Sequence, residues 1–252
     1  MTNPNATTAH RDRFGLNAQT VVVIGGSAGI GLETARRAAA EGASIVITGR
    51  DPERLQRAAL DLGAVQSAPF DASDPASLRA FFQNLPAPVD HVMVTAGAPH
   101  YGPPLEMSPE EARRGLTEHL LLALEVARQA SGKVRPPGSL VFVGGTGARR
   151  PRAGAAIVST ATAAFPALIA NLALELAPVR VNLIAAGFVD TPLSARLLGD
   201  DLDRRRAELR ATLPIRRVVV AADVAALAVH IMSNTALTGA TYDIDGGQQL
   251  VS

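Results

Sequence analysis

The segment Gly25-Gly26-Ser27-Ala28-Gly29-Ile30-Gly31 follows the apolar run QTVVVI and leads into GLETARRAAAEG. Glycines at this spacing let a backbone turn tightly and approach a pyrophosphate. The amide hydrogens at the start of the next helix then face the negative charge. A strand before and a helix after separate a dinucleotide-binding loop from an ordinary turn. Gly25, Ser27, Gly29, Ile30 and Gly31 are therefore expected to line a cofactor. A second such point is Thr48-Gly49-Arg50, at the end of the next apolar run. A carboxylate there would accept hydrogen bonds from the ribose hydroxyls of NAD, whereas a guanidinium clamps a 2′-phosphate with forked, charge-assisted bonds. Arg50 thus predicts that NADP(H) is preferred over NAD(H). Asp51 would oppose that phosphate, but its place before Pro52 gives it a separate task as a helix cap.

The elements that must position these groups alternate along the chain. QTVVVIGG, ASIVITG, DHVMVTAG, SLVFVGG and VRVNLIAAG are short apolar runs that read as buried strands, with AVQSAPF a weaker one and TYDIDGG the last. Between them lie helical stretches. Asp51-Pro52 and Asp74-Pro75 cap two of these, and the capping box Ser108-Pro109-Glu110-Glu111 opens a long one to about Gln129. Another long helix falls within Ala153 to Ala177, and two more lie near 200–211 and 221–233. Strands alternating with helices imply an α/β fold: a single Rossmann-like, doubly wound, parallel seven-stranded sheet with helices on both faces. Residues 1–18 are expected to form a flexible N-terminal arm and 19–252 one NADP(H)-binding domain.

Composition narrows the function classes. The chain has 252 residues, 47% hydrophobic and 19% charged, with net charge +1 and no cysteine. That gives ample core material and removes disulfides and thiolate nucleophiles. No long basic run offers a footprint for nucleic acid. The apolar stretch Ala153 to Ala177 is interrupted by Thr160, Thr162, Pro166, Asn171 and Glu175, which suits a buried helix better than a membrane span. Pro166 is expected to bend or restart that helix. The first residues lack the apolar core of a signal peptide, so a cytoplasmic protein is expected. The five histidines show no ligand spacing, so no metal site is expected.

Further motifs give the chain a family resemblance. The glycine loop resembles T-G-x-x-x-G-x-G of the short-chain dehydrogenase/reductase family, with Ile24 for Thr. Phe70-Asp71-Ala72 resembles the segment that flanks adenine, and Thr95-Ala96-Gly97 resembles N-A-G. Arg180-Val181-Asn182 with Ala186-Gly187 resembles R-V-N…P-G, and Asp245-Gly246-Gly247 resembles D-G-G. The resemblance implies hydride transfer with a nicotinamide cofactor held additionally by Asp71, Ala72, Ala96, Gly97, Gly187, Val189 and Thr191. It also implies a homodimer or homotetramer built through the two long helices. Their apolar positions Leu120, Leu124, Leu168, Leu172 and Leu176 exceed what one sheet must cover.

The family's acid–base residues do not carry over. Its spacing puts Gly145 at the serine position, Val158 at the tyrosine, Thr162 at the lysine and His119 at the asparagine. No shift of register restores the pair: Lys133 is the only lysine, and Tyr101 and Tyr242 are the only tyrosines. A positioned acid contributes about 10²–10⁴-fold and a lost oxyanion donor costs about 10²–10³-fold. Together their loss raises the barrier by roughly 5–9 kcal/mol. Candidate substitutes are His119, Tyr101 with its neighbour His100, and Thr146 beside Ser159 and Thr162. Arg149, Arg150 and Arg152 could hold an anionic substrate or form a solvated loop. The reading that follows is an atypical NADP(H)-binding oxidoreductase. It moves hydride to or from a small organic substrate (C=O, C=N or activated C=C) without the Tyr–Lys relay. The alternative is a catalytically silent NADP(H)-binding sensor, scaffold or partner subunit. A third is cyclisation or elimination in the same pocket.

Overall fold

A computed structural model describes residues 15–86 and 88–251. Along the chain run β1 (Thr20–Ile24), α1 (Gly29–Ala40), β2 (Ser44–Gly49), α2 (Pro52–Leu62), β3 (Gln66–Pro69), α3 (Pro75–Gln83), β4 (Val89–Val94) and α4 (Pro109–Ala130). Then come β5 (Val134–Gly145), α5 (Ala156–Glu175), β6 (Arg180–Ala186), β7 (Val189–Asp190), α6 (Pro192–Leu198), α7 (Leu202–Thr212), β8 (Val219–Val220), α8 (Ala221–Ser233) and β9 (Thr241–Ile244). Seven strands form one parallel sheet in the order β3-β2-β1-β4-β5-β6-β9. The order reverses between β1 and β4, and in open α/β sheets ligands bind in the crevice outside the carboxyl ends at such a point.

The strands are apolar on both sides because both faces are covered. Val22 and Ile24 of β1 pack with α3, α4 and α5 through Leu78, Phe82, Val126 and Ile169. Val21 and Val23 pack on the other face with α1, α2 and α8 through Ala35, Leu55 and Val229. The caps form as read. Asp51 accepts from the Arg54 amide at 3.0 Å, Asp74 from Ala76 and Ser77, and Ser108 with Glu111 closes a reciprocal box. The α5 helix is long and apolar enough to cross a membrane, with mean hydropathy 1.7. Here its Val158, Phe165 and Ile169 are core residues.

The structure adds to the expectations and alters several. Residues 1–14 of the expected arm lie outside the described residues, but Leu16 at its end is fully buried. The Ala18 amide donates to the Gly42 carbonyl at 3.3 Å, so the packed chain starts before Gln19. A lone leucine in a polar stretch carries no periodicity to announce this. The β5 strand begins at Val134 rather than near Ser139, with a register shift between the pairs Val89/Val134 and His91/Ser139. The shift spans Pro136-Pro137, which have no amide hydrogens for the ladder. The α5 helix runs through Pro166 without restarting. Unforeseen are α6 and the two-stranded sheet of β7 with β8.

Buried polar groups cluster at the amino-terminal ends of the strands. His91 is 3% exposed and bonded through Nδ1 to Ser139 Oγ at 2.9 Å and through Nε2 to Gln19 Oε1 at 2.6 Å. Burial, with the charge of Arg180 next in size, pushes its pKa down to about 4. Arg180 donates to the carbonyls of Pro137, Ile231, Met232, Asn234 and Leu237, closing the end of α8. Oxygens at a helix carboxyl terminus suit a cation, which is how a buried guanidinium is kept without a carboxylate.

Candidate functional site

The glycine loop is built so that no side chain fills it. Gly25 has φ +96° and Gly29 φ +54°, both in the left-handed region that favours glycine. A β-carbon on Gly25 would lie 2.7 Å from Thr95 Oγ1. One on Gly31 would run into the Gly25 carbonyl and lie 2.6 Å from the same hydroxyl. Thr95 Oγ1 donates to the Gly25 and Ile24 carbonyls at 3.1 and 3.3 Å. Threonine here thus fastens β4 to the loop. The loop opens onto the amino terminus of α1, and a backbone this close with positive helix-end dipoles fits a pyrophosphate. Across the crevice, a β-carbon on Gly29 would be 3.5 Å from Thr191 Cβ and Cγ2. Thr191 itself caps α6, accepting from the Ser194 amide. Ile30 is half-buried beside the core, and Val189 is buried within it.

At the far end of the loop, Ser27 is buried against Gly49, and Arg54 Nε donates to Ser27 Oγ at 3.4 Å. Arg50 is exposed and close enough to Asp71 to help lower its pKa, after the main effect of the Ser73 amide bonded to that carboxylate. Asp51 spends its carboxylate on the Arg54 amide, which holds its pKa below the usual carboxylate range. The expected adenosine end therefore gathers Arg50, Arg54, Ser27, Asp71 and buried Ala72. Arg54 is a residue that sequence reasoning missed. It stands in the first turn of α2, four residues after Arg50, and that spacing is the signal available in the sequence.

The expected acid positions come together but offer little chemistry. A β-carbon on Gly145 would have ordinary room, its nearest neighbour being Thr162 Cγ2 at 3.5 Å. Thr162 Oγ1 donates back to its own helix, at the Val158 and Ser159 carbonyls. Ser159 Oγ donates to the Gly147 carbonyl at 3.0 Å. Val158 is buried. The Thr146 amide is bonded to the Ala186 carbonyl. Pro166 leaves the Thr162 carbonyl without its helical partner. A cavity of about 190 Å³ lies alongside, bounded by Gly145, Arg149, Thr162, Phe165 and Pro166.

On the other wall, His119 packs on Gly97: a β-carbon there would be 2.5 Å from His119 Nε2. Burial lowers the His119 pKa, with Glu118 opposing and His100 adding to the effect. His119 is therefore neutral near pH 7. His100 Nε2 lies 2.9 Å from Glu118 Oε2. Tyr101 is half-exposed, with the Arg152 guanidinium 5.0 Å from its ring centre. The Gly102 amide donates to the Gly154 carbonyl, joining this loop to the one before α5.

The three clustered arginines all have partners. Arg149 pairs with Asp243 at 2.6 Å, Arg150 donates to the Gln248 carbonyl, and Arg152 covers Tyr101. They pin loops rather than stand free for an anion. Gln248 also accepts from the Phe188 amide, and the Gly187 amide donates to the Ile244 carbonyl. Residues after β6 and after β9 thus form one wall. The α7 helix is held to it by Arg206, which meets both carboxylate oxygens of Asp190 at 2.9 and 2.8 Å.

Residues 25–249 match the model of a family described as enoyl-(acyl carrier protein) reductase. The chain is 28% identical over 259 residues to the short-chain dehydrogenase/reductase malC of Malbranchea aurantiaca, covering 95% of this chain and 98% of that one. It is 31% identical over 261 residues to the galactitol 2-dehydrogenase (L-tagatose-forming) of Cereibacter sphaeroides, covering 94% and 98%. The solved structure of the MalC reductase/Diels-Alderase from M. aurantiaca superimposes with TM-score 0.87 at 26% identity, over 94% of this chain and 99% of that one. A short chain dehydrogenase from Burkholderia cenocepacia J2315, in complex with NADP, superimposes with TM-score 0.82 at 26% identity, over 92% and 98%.

Proposed function

The chain belongs to the short-chain dehydrogenase/reductase family, and on that premise we propose that it is an atypical NADP(H)-binding oxidoreductase acting without the Tyr–Lys relay. One observation carries this reading. The glycine cradle is intact, while Gly145, Val158 and Thr162 stand at the acid positions with the Thr162 hydroxyl turned onto its own helix.

Gly25, Ser27, Gly29, Ile30 and Gly31 hold the pyrophosphate. Arg50 takes the 2′-phosphate that distinguishes NADP(H) from NAD(H). Asp71 and Ala72 border the adenine. Ala96, Gly97, Gly187, Val189 and Thr191 border the nicotinamide half. A bound reduced nicotinamide supplies hydride. The substrate is a small molecule whose C=N or activated C=C needs less acid help than a plain ketone, since the missing groups are worth roughly 5–9 kcal/mol there. Neutral His119 and the Thr146 hydroxyl orient it by hydrogen bonds. The protein works in the cytoplasm as a homodimer or homotetramer. Supporting this, Leu121 and Leu124 of α4 and Ala163, Ala164, Ala167, Ala170 and Leu174 of α5 are exposed. Leu172 belongs to the core instead, and Leu120, Leu168 and Leu176 pack against it.

A second reading is favoured by the likeness to a reductase/Diels-Alderase: the same pocket folds an unsaturated substrate for cyclisation, which requires shape and no proton donor. Fluorescence titration with NADPH and NADH, then turnover against imines, enones and ketones, tests these readings. Tighter NADPH binding with hydride transfer to imines or enones is expected. Binding without transfer supports a silent sensor, scaffold or partner subunit, and absence of binding overturns all the cofactor-based readings.

A further inference from the structure

Three titratable side chains from two segments converge beside the first turn of α5. His100 comes from the loop after β4, and Glu118 and His119 come from α4. His100 and Glu118 are joined at 2.9 Å, with 29% and 26% of their side chains exposed. Gly115, about one turn before Glu118, allows this. A β-carbon there would lie 3.0 Å from His100 Cβ and 2.6 Å from Ile157 Cγ2. His100 and Ile157 therefore share the space over Gly115, and Ile157 is the residue before Val158. The imidazole stands beside the turn of α5 from which the acid is missing.

The surroundings of the two histidines differ. His119 lies against Gly97 and is kept neutral by burial. His100 has a carboxylate on one ring nitrogen and partial access to water, so it can be reloaded with a proton. The groups around it are Glu118 and His119 from α4, Tyr101 on its own loop, and Arg152 over Tyr101 from the loop before α5. From α5, apolar Ile157 shares the space over Gly115 with it.

We propose that His100 is the general acid of this site and that Glu118 is its positioning residue, fixing the ring through Nε2 and leaving Nδ1–H for the substrate. This rests on the oxidoreductase reading above. The substrate is a neutral imine or an enone. As its electrophilic carbon takes hydride from the reduced nicotinamide, the π electrons move to the nitrogen or, through the conjugated system, to the oxygen. The Nδ1–H bond of His100 breaks and an N–H or O–H bond forms on the substrate. His100 is left neutral, still donating through Nε2 to Glu118, and water returns the proton.

The test uses the full chain with NADPH and an imine or enone that it turns over. His100→Gln is expected to lower kcat by about 10²–10⁴-fold, with NADPH affinity unchanged. Glu118→Ala removes the partner that fixes the ring and is expected to lower kcat with KM and NADPH affinity unchanged, while Glu118→Gln, whose amide oxygen can still accept from Nε2, restores part of the rate. In histidine-selective NMR of the same chain, without substrate and at fixed pH, the His100 ring signals shift in Glu118→Ala as the ring loses its fixed position. A His100→Gln rate within twofold of wild type overturns the acid assignment while the oxidoreductase reading stands. A kcat within twofold of wild type and unmoved His100 ring signals in Glu118→Ala overturn the positioning role. A wild-type protein that binds NADPH and transfers no hydride overturns both readings.

Discussion

Thr95 Oγ1 donates a hydrogen bond to the Gly25 carbonyl at 3.1 Å, so the end of β4 is tied to the loop that follows β1. Gly31 sits against both groups. In Gly31→Ala the new methyl meets backbone, which cannot swing aside. NADPH affinity is expected to fall at least about tenfold and stability by about 1–3 kcal/mol. Fluorescence titration and urea denaturation measure these. Wild-type values for both would contradict the packing described.

Arg54 reaches Ser27 of the glycine loop while Arg50 is exposed at the end of β2. If both guanidiniums flank the 2′-phosphate, they act on NADPH and not on NADH. Arg50→Ala and Arg54→Ala are each expected to raise the NADPH dissociation constant by about 10-fold, on the order of one charge-assisted bond. Binding of NADH should stay within twofold. Equal losses for both cofactors would place these arginines elsewhere.

His91 makes stability depend on acid. Its folded pKa is about 4, against 6.5 for a free histidine, because burial and then Arg180 oppose its charge. Between those values the unfolded chain binds more protons, so stability rises with pH there. The contribution is complete above pH 6.5 and is lost as pH falls toward 4, by about 3 kcal/mol at most. Chemical denaturation of His91→Gln across pH 4–6.5 should show a flatter slope than wild type. Parallel slopes would remove His91 as the cause.

The outer face of α5 is lined by alanines, with Leu174 79% exposed at its end. Ala167→Glu places a charge in the middle of that face. If two copies join there, burying an unpaired carboxylate is costly, and light scattering will show the mutant as a smaller species than wild type. An unchanged mass would move the interface off this helix.

Most of the scaffold could be read because its signals are local. β1, β2, β4 and β6 are covered on both faces and so carry runs of apolar residues, broken by Asp90 and His91 in β4 and by Arg180 and Asn182 in β6. Asp51, Asp74 and Ser108 announce their helices by capping chemistry within three residues. What escaped was short or distant. β7 and β8 are two residues each and exist by pairing with one another across 30 residues. The Glu118–His100 and Arg206–Asp190 pairs join residues 18 and 16 apart on different elements, and no pattern along the chain encodes such a meeting. The arginines at 149–152 could be read only as an anion site or a solvated loop, because the partners of Arg149 and Arg150, Asp243 and Gln248, lie over ninety residues away.

That last separation has a consequence for how the protein is made. The chain leaves the ribosome from its amino terminus, and β1 through β5 with their helices can pack as they emerge. The loop carrying Arg149 and Arg150 must wait for Asp243 and Gln248, and Phe188 waits for the same glutamine. A nascent chain halted before about residue 240 would hold the glycine loop formed while the wall opposite still lacked Asp243 and Gln248. The glycine loop can therefore form before the wall that joins the residues after β6 to those after β9 is complete.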